Sequence, residues 1–91
     1  MTIEMADLGN WVPAALAAEY DAERDAIRVN VRAVARVRAA RGEAAARAFV
    51  GYAIAHEQFH RSHPHASEAQ AHEHARARTG WSRDAFEAVL R

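Results

Sequence analysis

Ninety-one residues are enough for one small domain, of a size that is often helped by a metal, disulfides or oligomerisation. The absence of cysteine excludes disulfides and confines any metal site to nitrogen and oxygen ligands. Twelve basic residues, all Arg, balance twelve acidic ones, so the charge gives no case for direct binding of nucleic acid or of an anionic membrane.

No apolar run approaches a membrane-spanning length, and Met1–Asn10 lacks the basic and apolar regions of a signal peptide. The expectation is a soluble cytoplasmic protein forming a single domain over residues 1–91. Thr2–Trp11 is mixed and suggests no firm structure. Pro13 before Ala14-Ala15-Leu16-Ala17-Ala18-Glu19 reads as the first position of a short helix. Tyr20–Asp25 is polar and turn-like. Ile27, Val29 and Val31 then alternate with Arg28 and Asn30, the period of a strand with one buried face. Alternatively Asn30 caps a helix that carries Val34 and Val37 and stops near Gly42. The pattern is helical from Glu43 to about Arg61. On it Ala46, Phe49, Val50, Ala53, His56, Glu57 and His60 share one arc at about 100° per residue. Pro64 breaks the helix, Ser67 caps a second one over Glu68–Arg78 that ends at Gly80, and Ser82 caps a last one with Ala85, Phe86, Val89 and Leu90 as its apolar face. The fold class expected is α+β, mostly helical.

Histidine is the unusual residue: six, all between positions 56 and 74. His56 and His60, four apart on a helix, point the same way and can reach one ion. Glu57 lies beside that face, where its carboxylate can take a proton from water that the ion acidifies. These polar groups share the arc of Phe49, Val50 and Ala53, so they face the core and need partners. A helical hairpin brings the start of the next helix beside His60. There Glu68, Ala71, His72 and Ala75 share a face, while Glu73 points away, which makes Glu68 the better third ligand.

His56-Glu57-x-x-His60 followed by Glu68-x-x-Ala71-x-x-His74-Ala75 resembles the gluzincin zinc peptidases, in particular the small minigluzincins and the ImmA/IrrE-type peptidases. Ile27-Arg28-Val29-Asn30 is similar to a strand common to them. The resemblance spans roughly Tyr20 to Arg78 and is firmest over residues 56–75. It departs from the pattern at Phe59, usually Gly, at His74, usually Phe, and in a short spacer between His60 and Glu68. It implies a minimal zincin-like domain in which His56, His60 and Glu68 ligate zinc and Glu57 is general base and acid. It further implies a peptide or protein substrate aligned by the strand near Ile27–Val31, and a low resting activity through self-inhibition.

Each assignment has a plainer counterpart. His56 and His60 can be core histidines satisfied by hydrogen bonds, and Glu68 can simply favour the positive end of its helix. His72 can be a fourth ligand, an oxyanion donor or a packed residue. A closed set of His56, His60, Glu68 and His72 would be structural, making the chain a non-catalytic metal-stabilised interaction or regulatory module. His63, His65 and His74 read as surface histidines, Tyr20 and Tyr52 as core or rim aromatics or as groups that polarise a substrate carbonyl, and the Arg-rich stretch from Arg32 to Arg41 as a solvated helix face.

Overall fold

In the computed structural model, which describes residues 1–9 and 18–90, the alternation Ile27-Arg28-Val29 becomes the central strand of a three-stranded sheet. Strands β1 (Thr2–Ala6), β2 (Ala18–Asp21) and β3 (Ala26–Asn30) lie in the order β1-β3-β2, with β1 parallel and β2 antiparallel to β3. Ile27 and Val29 are fully buried, and Arg28 between them pairs with Glu19 of β2. Helices α1 (Val31–Arg41), α2 (Glu43–Ser62), α3 (Glu68–Thr79) and α4 (Asp84–Leu90) complete an α+β architecture among the described residues. None of these helices is long and apolar enough to cross a membrane.

The two readings of Asn30 both hold, at one residue. Asn30 ends β3, and its side-chain oxygen accepts the backbone N–H of Arg32 at 3.1 Å, capping α1. Its amide group donates to the Gly9 carbonyl at 2.9 Å, which satisfies a side chain only 1 % exposed. Val31 opens the helix instead of extending the strand.

Other boundaries need correction. Thr2–Ala6 is a strand, although its sequence suggests none. The expected helix over Ala14–Glu19 lies largely outside the described residues, and its last two residues, Ala18 and Glu19, belong to β2. Tyr20 and Asp21 are also in β2, so the turn is confined to residues 22–25. The strand expected to align a peptide, β3, is hydrogen-bonded on both sides and has no free edge. Among the described residues the free edges belong to β1 and β2, and β2 packs against α2.

Gly42 joins α1 to α2 with φ at 91°, a conformation that disfavours a side chain, and donates its N–H to the Arg38 carbonyl at 2.9 Å. The core then runs along α2 through Ala46, Phe49, Tyr52 and Ala53, against β3 on one side and Phe86 and Leu90 of α4 on another. Phe49 and Tyr52 meet Phe86 edge-on at 5.3 and 5.6 Å between ring centres. Val50, placed on the inner arc by periodicity, is only partly buried, while Ala45, Tyr52 and Ala55 join the buried set.

Candidate metal centre

Helix α3 begins where the sequence places it. Ser67 and Gln70 form a capping box, with Ser67 Oγ accepting the Gln70 N–H at 3.1 Å and Gln70 Oε1 accepting the Ser67 N–H at 2.9 Å. Gly80 ends the helix in the left-handed region. Ala71 and Ala75 are fully buried, and such small side chains let α3 approach α2 closely. His60 meets Glu68, and four residues earlier on α2 His56 meets His72, so the two helices run as a hairpin. Three polar residues of α2 and two of α3 thereby converge.

His56 is 2 % exposed and lies between two carboxylates. Its Nδ1 is 3.1 Å from Glu57 Oε1, and its Nε2 is 3.0 Å from Glu68 Oε2. His60 Nε2 is 2.9 Å from Glu68 Oε1. Neither Nε2 makes a hydrogen bond, although both atoms are buried. The distances are short but the directions are wrong for N–H···O contacts. A neutral imidazole has one N–H. With that proton on Nδ1, donated to Glu57, the Nε2 lone pair of His56 confronts a carboxylate oxygen. Two acceptors face to face repel unless a cation lies between them, so the donor set fits a metal ion.

Ligating atoms of His56, Glu68 and His72 all lie within 4.8 Å of one another. The His56 and His72 ring centres are 4.4 Å apart. His72 Nδ1 lies 2.8 Å from the hydroxyl of Tyr52, which also reaches the His72 backbone carbonyl at 3.4 Å. Burial, followed by repulsion from His56 and Arg83, lowers the pKa of His72 to about 4, so its ring is neutral at neutral pH. Burial pushes the Tyr52 phenol up to about 12, and it keeps its proton. A cleft of about 210 Å³ borders Tyr52 and His72 on the side of Arg76, Arg83 and Asp84.

The structure thus brings together His56, Glu57, His60 and Glu68 and adds His72 at contact distance. Glu57 is 7 % exposed and meets His56 at Nδ1, not at the nitrogen that faces Glu68, so it holds the ring in the manner of a carboxylate behind a ligating histidine. Glu73 pairs with Arg76 on the outer side of α3. His63 and His74 gather instead around Phe59, at 4.3 and 4.9 Å between ring centres, and His65 is exposed. Tyr52 is the core aromatic that the sequence suggests, but its contact with His72 is not foreseen there. Its signal is spacing: it lies one turn before His56, and His72 lies one turn after Glu68.

Set against protein-family models, curated proteins and solved structures, the chain matches none. The functional reading therefore rests on the geometry above.

Proposed function

We propose that this chain binds one divalent metal ion, zinc being the best match, between α2 and α3 through His56, His60 and Glu68, and that it is a small metal-dependent peptidase of the gluzincin type. The observation that supports the metal is the pair of buried Nε2 atoms that approach one carboxylate without hydrogen bonds. Nitrogen and carboxylate donors without thiolates suit zinc in the set of two histidines and one glutamate. When bound, such an ion lowers the pKa of a water molecule to about 7.

The chain's own residues supply the rest. Glu57 takes the proton of the attacking water at its carboxylate and returns it to the leaving amine. Its contact with His56 Nδ1 through one oxygen orients the ring, and in this reading its other oxygen would take the proton. A peptide would add to β2, the free edge packed against α2, which replaces β3 as the aligning strand. In this reading the substrate is a peptide or protein and the chain works in the cytoplasm, without direct nucleic-acid or membrane binding.

The test is Glu57→Gln assayed on a mixture of quenched fluorescent peptides. Metal content and fold should be retained while cleavage disappears. Cleavage at the wild-type rate would remove Glu57 from the chemistry.

The position of His72 favours a second reading. If His72 joins His56 and Glu68, its neighbours within 4.8 Å, and His60 also binds from beside the other Glu68 oxygen, four protein ligands close the site, and closed sites are structural. The chain would then be a metal-stabilised module in which the ion ties α3 to α2. Absence of any cleavage by a fully metal-loaded protein supports this reading over the first.

A further inference from the structure

His72 lies one turn beyond Glu68 on α3, and Tyr52 lies one turn before His56 on α2. Both histidines therefore look into the space beside the Glu68 carboxylate from opposite helices. The ligating atoms of His56, Glu68 and His72 fall within 4.8 Å of one another, close enough for the three side chains to turn toward one ion. His56, 2 % exposed, brings its Nε2 to 3.0 Å from Glu68 Oε2 in the same space without forming a hydrogen bond.

The hydroxyl of Tyr52 faces one nitrogen of His72, Nδ1, and leaves Nε2 to the other side of the ring. It lies 2.8 Å from His72 Nδ1 and 3.4 Å from the His72 carbonyl. A phenol donates one hydrogen bond and can accept another. With its proton on the carbonyl, its oxygen accepts Nδ1–H, both contacts are used, and the Nε2 lone pair of His72 is left bare. A ligating histidine is commonly held this way, by a partner on the nitrogen that does not bind the metal. Tyr52 is well suited to the task because it is fully buried against Phe86, which fixes its ring.

We infer that His72 is a further ligand of this metal centre, through Nε2, and that Tyr52 is the positioning residue that selects that nitrogen. The inference rests on the metal centre proposed above and holds whether or not the ion serves hydrolysis. His72 would join His56 and the Glu68 carboxylate, whose ligating atoms are the ones that meet within 4.8 Å, while His60 faces the other Glu68 oxygen at 2.9 Å.

The experiment loads the full chain and its variants with Co²⁺, records the visible spectrum, and measures Zn²⁺ affinity by competition with a chromophoric chelator. His72→Ala should weaken binding more than tenfold and shift the Co²⁺ bands, and added imidazole should restore them. A purely structural role for His72 would not produce that rescue. Tyr52→Phe keeps the packing and should weaken Zn²⁺ binding by about 10–100-fold, as loss of an orienting partner does. His72→Gln is measured alongside, in case the alanine variant does not fold by circular dichroism. Wild-type spectrum and affinity in folded His72 variants, with binding abolished in His56→Ala, would overturn the ligand assignment and leave the centre standing. Unchanged affinity in Tyr52→Phe would overturn the positioning role. Binding retained in His56→Ala would remove the centre itself.

Discussion

Helix α2 carries two clusters of ionisable groups, built in opposite ways. At its C-terminal end Arg61 grips Asp25 through two hydrogen bonds of 2.7 and 3.2 Å, Tyr20 donates to the same carboxylate at 2.6 Å, and the N-terminal amine lies 3.4 Å away. There cation and anion match, and the groups are open to water. One turn earlier, His56, Glu57 and His60 are turned inward, and two of their nitrogens have no hydrogen bond. The first cluster pins the β2–β3 turn to the helix and is satisfied as it stands. The second is short of a positive charge that its geometry invites. A balanced surface network reads as architecture, whereas a buried, convergent and unsatisfied one reads as a binding site.

The difference breaks most visibly on metal removal. A strong chelator should lower the thermal midpoint substantially, because an ion present at a thousandfold excess over its Kd stabilises the folded state by about 4 kcal/mol. In a domain of this size that corresponds to roughly 15–30 °C, read by circular dichroism. Asp25→Asn should leave the chelator-induced shift unchanged, because it touches the other cluster.

The next effect separates two glutamates of α3. Glu68→Ala removes the carboxylate that both Nε2 atoms approach and should weaken zinc binding by more than about a hundredfold, since even orienting partners are worth 10–100-fold. Glu73→Ala removes only the partner of Arg76 and should leave affinity within error. Equal losses in a chelator-competition titration would contradict the placement of α3.

The smallest effect belongs to the satisfied cluster and is read by acid. Arg61 foremost, and Tyr20 after it, hold the Asp25 carboxyl well below its ordinary value of 3.8. A carboxylate with a depressed folded-state pKa contributes stability that is present above the unfolded value and lost as pH falls through the folded one. The metal-free protein should therefore resist acid slightly better than Asp25→Asn, with the curves converging below pH 3.8 and no difference in zinc affinity. Coincident curves across the whole range would show that the pair is too solvated to matter.

How much of this was legible in the sequence depended on the period of each segment. Helices α2 and α3 follow the 3.6-residue repeat and carry their own punctuation at Gly42, Ser67 and Gly80, so their bounds were readable to within a residue or two. Helix α4 starts at Asp84, close behind the expected cap at Ser82. Strand β1 alternates Ile3 and Met5 with Thr2 and Glu4, but at five residues the run is too short to stand out, and its apolar side chains, in register with Ile27 and Val29, stay nearly half exposed. Strand β2 is four residues long and follows an alanine-rich run, where local propensity favours helix and sheet pairing overrides it. In the candidate site, His56, Glu57, His60 and Glu68 were readable because a motif and two helical faces place them. The contact of Tyr52 with His72 was not, because it depends on which atom of His72 the hydroxyl meets across the helix pair.

The central claim is that the unsatisfied cluster is a metal centre, and elemental analysis tests it most directly. The untagged protein, purified without added metal, should carry about one zinc per chain, and the His56→Ala/His60→Ala double variant essentially none. Full zinc occupancy in that double variant, or a metal-free wild-type protein that takes up no zinc when it is supplied, would contradict it.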